Sequence, residues 1–281
     1  MLVYTPYGVP PKITTDKMIP AFLICLERLR GNECATKQNE LFKIFPHNKT
    51  SVFPAVDAAE IDLNADSRIS TFAKYHITND LDTDFMHTAK ISAVGCSLSH
   101  IKLWEKCVSL DQPILVLEDD VRLDADFMHE AVANIPNVDF ASIVYLPFAD
   151  RSLCEDGWCK ILPRSGFGGT QMYYITPRGA SILLEQALPV VSQIDVYIGY
   201  VSNTRIDFIS VFYEKEFFSQ YEFWSEFHKS TIGHNIEIKK FLPDSNMFYI
   251  MWAVIIVMCF LFMFKTCHHT VTISYSEKHK V

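Results

Sequence analysis

An α/β fold layered around a mostly parallel sheet is what this sequence predicts, on three observations. Apolar runs of strand length alternate with segments of helical periodicity. One such run, Pro113 to Leu117, closes on three successive acids and leads straight into a helical segment, a strand, turn and helix unit whose crevice belongs at the carboxyl ends of the strands. The composition of the 281 residues, 49% hydrophobic with 10 Gly and 13 Pro, supplies a core and excludes collagen-like, low-complexity and wholly disordered chains.

The elements follow in chain order. Residues 1–19 form a Pro-rich leader with Pro6, Pro10 and Pro11, and Met1 to Pro20 has no apolar run of the kind a signal peptide needs. Ala21 to Leu26 reads as a buried strand, and a second short strand falls near Ser51 to Val56. Ala59 to Ile91 is polar and aperiodic and reads as an irregular, lid-like loop. From Ser97, taken as a cap, Ile101, Leu103, Trp104, Cys107 and Val108 make the apolar face of a helix ending at Leu110. Asp124 to Ile135 has helical spacing, and Phe140 to Leu146 and Gln171 to Ile175 are further strands. Thr176 with Pro177 caps and opens a helix running to Leu188. The folded domain is expected over residues 20–243.

With 25 Lys and Arg against 33 Asp and Glu, the net charge is −8, and the chain lacks the positive field that nucleic-acid binding draws on. No nucleic-acid partner is expected. The mean hydropathy of +0.11 has a local source. Residues 247–264, MFYIMWAVIIVMCFLFMF, carry no charge and every helical face is apolar, so they read as a transmembrane helix with Tyr249 and Trp252 near one end. At 1.5 Å per residue the helix spans roughly 27 Å. The short polar tail 265–281 follows, and the expected topology is a single-pass C-terminal anchor with a cytosolic globular domain. The eight cysteines read as thiols rather than a disulfide framework, with Cys25 and Cys96 in apolar stretches. Cys154 and Cys159 are the pair able to bridge, and Asn48 to Thr50 is a sequon relevant only to a lumenal domain.

The chemistry concentrates in Glu118, Asp119 and Asp120. Adjacent carboxylates raise one another's pKa unless a cation or hydrogen-bond donors compensate. In an extended segment Glu118 and Asp120 share a side while Asp119 points away, a geometry suited to a divalent ion and a diphosphate. A solvated turn whose acids cap the following helix explains the same residues equally well. His100, ahead of an apolar helical face, reads as a hydrogen-bonded structural residue in preference to a ligand. Gly166, Gly168 and Gly169 read as a flexible loop without a phosphate-loop fingerprint. The aromatic stretch Phe212 to Phe227 reads mainly as core, and His228 and His234 as surface residues in preference to third metal ligands.

The residues around the acids resemble glycosyltransferase family 25. They are Val94-Gly95-Cys96-Ser97-Leu98-Ser99-His100, Trp104, and Ile114-Leu115-Val116-Leu117-Glu118-Asp119-Asp120-Val121. Members show a Gly-Cys-x-x-Ser-His stretch upstream of Leu-Glu-Asp-Asp-Val. Leu26 and Arg28, Phe53 to Ala58, Gly169 to Ile175, Gly179-Ala180 and Ile194-Asp195 match more loosely. The resemblance implies a GT-A-like nucleotide-sugar-binding sandwich and inverting transfer of a hexose, commonly galactose. It also implies a UDP-sugar donor, Mn2+ or Mg2+, and a glycan or glycoprotein acceptor. By the same carry-over Glu118 and Asp120 hold the metal and diphosphate, Asp119 contacts ribose or metal, and Arg28 and Asp57 lie near the nucleotide. Cys25 stands where members often have Asn.

Inverting transfer needs a carboxylate to take the acceptor proton. Asp195 is the first candidate, with the N-cap of a helix starting at Val196 as its other reading, and Asp207 in a surface strand is a weaker one. A nucleotidyltransferase or phosphohydrolase would also use the acidic turn, though no Gly-rich phosphate loop with a Lys is present. A degenerate, membrane-anchored protein that binds a sugar nucleotide or a partner is the non-catalytic alternative.

Overall fold

The computed structural model describes residues 19–30, 32–45, 49–79, 81, 90–122, 124–144, 154–161 and 169–215. Residues 1–18 of the leader, residues 216–227 of the aromatic stretch, the span at 247–264, the tail, Asn48, Gly166, Gly168, His228 and His234 lie outside them. Among the described residues no helix is long and apolar enough to cross a membrane.

The described elements are β1 (Ala21–Cys25), α1 (Glu27–Arg30), α2 (Asn32–Ile44), β2 (Thr50–Pro54), α3 (Thr71–Thr78), α4 (Ile91–Leu110), β3 (Ile114–Glu118) and α5 (Ala125–Ala133). They continue with β4 (Phe140–Val144), β5 (Cys154–Glu155), β6 (Trp158–Lys160), β7 (Met172–Ile175), α6 (Pro177–Leu184), α7 (Ile194–Thr204) and β8 (Ser210–Tyr213). The strands form one eight-stranded sheet in the order β2-β1-β3-β7-β4-β8-β6-β5. The pairs β1/β2, β1/β3 and β4/β8 are parallel; β3/β7, β4/β7, β5/β6 and β6/β8 are antiparallel. The sheet is therefore mixed, which corrects the mostly parallel expectation. An apolar run says that a strand is buried on both faces and leaves its direction open.

Alternate residues of each central strand enter two separate cores. Phe22, Ile24, Ile114, Val116, Tyr173 and Ile175 pack on one face with Leu98, Trp104, Leu183 and Ile198 of α4, α6 and α7. Leu23, Leu115, Leu117, Met172 and Tyr174 pack on the other with Leu41 of α2 and Met128 of α5. Period-two alternation with apolar residues at both parities places helices on both sides.

Four boundaries differ from the sequence reading, the simplest being the end of α6, at Leu184 rather than Leu188. Ser70, whose side chain accepts from the Ala73 N–H, opens α3 inside the stretch expected to be irregular. Helix α4 starts at Ile91, so Ser97 is a buried helical residue rather than a cap. Ile206 and Asp207 form a turn, and the strand begins at Ser210. The cap expected at Thr176 is present, accepting from the Gly179 N–H, and Asp124 caps α5 by accepting from the Phe127 N–H.

Cys25 is disulfide-bonded to Cys34 and Cys154 to Cys159, so the reading of Cys25 as a buried thiol is overturned. The first bridge ties the end of β1 to the start of α2. Closing a loop of about ten residues stabilises the fold by about 2.5 kcal/mol in the chain-entropy account.

Close backbone approach fixes two helices. A Cβ on Gly179 would lie 2.5 Å from the Asp139 carbonyl oxygen. Gly179→Ala is expected to cost about 2–3 kcal/mol, because backbone rather than a flexible side chain must yield. Urea unfolding measures this, and an unchanged midpoint would contradict the packing.

Candidate active site

Parallel pairing of β2, β1 and β3 brings three strand ends to one edge. The segments leaving them carry Asp57, Arg28 and the acids 118–120. Because β7 runs antiparallel to β3, its entry at Gly169–Gln171 reaches the same edge, and the Glu118 N–H donates to the Gln171 carbonyl at 2.9 Å. Helix α4 crosses this edge with Cys96 and His100, one turn apart.

The Gly-Cys-x-x-Ser-His stretch divides between two helix faces. Gly95 and Ser99 dock the chain leaving β2: a Cβ on Gly95 would meet the Val56 carbonyl at 2.8 Å, and the Ser99 hydroxyl accepts from the Val56 N–H at 2.8 Å. The same hydroxyl donates to the Gly95 carbonyl at 2.7 Å. Cys96 and His100, the partners one position on, turn toward the acids.

Glu118, 17% exposed, accepts at Oε1 from Thr170 and from His100 Nε2, the latter at 3.2 Å. Burial pushes its carboxyl up, but the bonds from His100 and Thr170 outweigh burial and hold it below the ordinary glutamate range. Asp119 turns to β1, where Oδ2 accepts from the Leu26 N–H at 3.3 Å. Asp195 lies in the first turn of α7, whose cap is Gln193, so it is not the helix cap its other reading made it. Its Oδ2 accepts from the Gly169 N–H at 3.2 Å and its Oδ1 from the Val196 N–H at 2.7 Å. Gly169 holds φ at 89°, in the left-handed region that favours glycine, to present that N–H. Burial raises the Asp195 pKa against these two bonds, and the charge of Glu118 raises it further. The Cys96 thiol is held protonated first by burial, then by the charges of Glu118, Asp195, Asp120 and Asp119. All four acids thus bear on one point.

Arg28 and Asp57 form a two-bond ion pair across the ends of β1 and β2, Nε donating to Oδ2 and Nη2 to Oδ1 at 3.0 Å. Arg28 holds the Asp57 carboxyl below the usual range, assisted by the Ala59 N–H. Asp57 also caps the short 3-10 helix Ala58–Glu60. Asp207 is paired with Arg205 on the surface, apart from the acids. Among the described residues, Cys96, His100 and Glu118 form a group whose possible ligand atoms lie within 4.8 Å of one another.

The structure therefore brings Glu118, Asp119, Asp120 and Asp195 together and joins Arg28 to Asp57. Sequence reasoning gave no role to Thr170, Cys96 or Tyr173. The signal for Thr170 was its place beside a glycine at the mouth of a strand, legible only once β7 is known to pair with β3.

Half-buried carboxylates gathered at the strand ends of an α/β sheet make this edge the candidate active site. The chain belongs to glycosyltransferase family 25: the family described as "Glycosyltransferase family 25 (LPS biosynthesis protein)" matches residues 18–198. It is similar to proteins named "Glycosyltransferase 25 family member" from Aedes aegypti, 28% identical over 208 residues, and Anopheles gambiae, 27% identical over 197 residues. The matches cover 69% and 66% of this chain. A protein of the same name from Drosophila pseudoobscura pseudoobscura is 34% identical over 122 residues, 43% of this chain and 18% of its own length. The chain spans about a third of the length of the two mosquito relatives, 33% and 32%.

Proposed function

We propose that this protein is a metal-dependent, inverting glycosyltransferase of GT-A-like architecture. It moves a hexose, galactose first, from a UDP-sugar to a glycan or protein hydroxyl. The observation that carries the reading is the convergence of Glu118, Asp119 and Asp120 with a separately held carboxylate, Asp195.

The donor set fits a hard divalent cation such as Mn2+ or Mg2+. Carboxylate oxygens are its preferred ligands, and a cation would relieve the repulsion that adds to burial in raising Asp195 and Cys96. Glu118 and Asp120 would hold it, with Asp119 beside them. When bound, the ion neutralises charge growing on the leaving diphosphate. Arg28 and Asp57, already fixed to each other, border the nucleotide end. Asp195 is the base: burial raises its pKa above the ordinary aspartate value, which strengthens it as a proton acceptor, and the N–H groups of Gly169 and Val196 hold both oxygens in place. It would take the acceptor hydroxyl proton as the oxygen attacks the anomeric carbon.

The membrane-anchor proposal rests on residues 247–264. The two disulfides support an oxidising compartment for the domain in preference to the cytosolic face. Alkylation of the protein in unbroken cells followed by mass analysis decides between them. Blocked Cys25, Cys34, Cys154 and Cys159 support the first, and four alkylated thiols support the second.

Incubation with a panel of UDP-sugars and Mn2+ without acceptor tests the function. Slow UDP release that requires Mn2+ is expected. Binding without turnover for every sugar and acceptor tried would instead favour a non-catalytic protein.

A further inference from the structure

Behind Glu118 stands a line of side chains with no access to solvent. Trp104, Tyr173 and His100 are each 0% exposed and sit in the core between α4 and the sheet. Trp104 Nε1 lies 3.0 Å from the Tyr173 hydroxyl, the Tyr173 hydroxyl 2.9 Å from His100 Nδ1, and His100 Nε2 3.2 Å from Glu118 Oε1. An indole N–H only donates, so the Tyr173 oxygen accepts from Trp104. Its own proton then goes to His100 Nδ1, and His100 donates from Nε2 to Glu118. This arrangement uses every N–H and O–H donor in the line.

Polar groups this deep are costly unless bonded, and an apolar trio of the same volume would fill the space without that cost. The polar line delivers something that apolar packing cannot, which is one N–H aimed at one oxygen of Glu118. Orientation is enforced from two elements. His100 and Trp104 are one turn apart on α4, and Tyr173 is held on β7 opposite Val116 of β3, two residues before Glu118. The Tyr173 ring is fixed against Phe140 at 5.1 Å between centroids.

We infer that Tyr173 and His100 are positioning residues for the metal site. The Trp104–Tyr173–His100 line locks the imidazole so that Nε2 pins Oε1 of Glu118 and sets how that carboxylate meets a divalent cation. The inference rests on the proposed metal role of Glu118.

Direct Mn2+ titration of the full chain, with kcat and KM for UDP-sugar breakdown and thermal melting alongside, tests it. Tyr173→Phe keeps the ring and removes the link, and Mn2+ affinity is expected to fall about 10- to 100-fold, as for other groups that orient metal ligands. At saturating Mn2+ the KM for the UDP-sugar should change little. His100→Gln retains an N–H that can reach Glu118, whereas His100→Phe retains a flat ring. Positioning predicts that His100→Gln binds Mn2+ more tightly than His100→Phe, and simple packing predicts that His100→Phe is the better of the two. The reverse order, or unchanged Mn2+ affinity in a folded Tyr173→Phe, would overturn the inference while leaving the function proposal standing. Failure of the unsubstituted protein to bind Mn2+ would overturn the metal reading itself, and this inference with it.

Discussion

Glu118→Gln and Asp120→Asn are each expected to lower Mn2+-dependent UDP-sugar turnover by about a thousandfold or more. Charge stabilisation by a bound cation is worth several kcal/mol in the transition state, and about 4 kcal/mol corresponds to a thousandfold in rate. The amide variants keep the shape and an acceptor oxygen, which for Glu118 preserves a partner for Thr170 and His100. Glu118→Ala would instead leave those donors buried without an acceptor, costing about 1–3 kcal/mol of stability and confusing the test. Melting points of the amide variants should lie close to that of the parent. Normal turnover by both variants would remove the acidic turn from the mechanism.

Asp195→Asn is expected to reduce kcat for transfer by about a hundred- to ten-thousandfold, the range for loss of a general base. KM for the donor should move far less, because Asp195 is assigned to the acceptor side. The pH profile carries a second, independent expectation. A base works ionised, so the rate falls as pH drops through its pKa. Burial and Glu118 raise that pKa, so this limb should lie above the ordinary aspartate value of about 3.9. The same shift has the opposite sign for stability. The folded state holds the Asp195 proton more tightly than the unfolded state, so the contribution is greatest below the unfolded pKa and is lost as pH rises through the folded one. The proposed base is thus a half-buried charge kept at some expense to the fold. An acid limb unchanged in Asp195→Asn would assign the base elsewhere.

The helix cap at Thr176 and the strand at Ile114–Glu118 were legible because local chemistry specifies them. Helix α3 was missed because its residues, Thr71–Thr78, lack a strong apolar stripe and rely on Ala73 and His76 packing against the rest of the fold. The Cys154–Cys159 bridge joins the pair the sequence marked as able to bridge, but Cys25–Cys34 was missed because spacing does not report the separation of sulfur atoms in space.

The sequence by itself determined where the acids would cluster, since an apolar strand can hold Glu118, Asp119 and Asp120 only at its end, outside the core. It also determined that helices cover both faces of the sheet, because both parities of the central strands are apolar. The tertiary structure decided the rest. Strand direction follows from which neighbour pairs with which, and only the antiparallel placement of β7 beside β3 brings Thr170 to Glu118 and Tyr173 to His100. Contacts between residues far apart in the chain depend on register and packing angle, which no local pattern encodes.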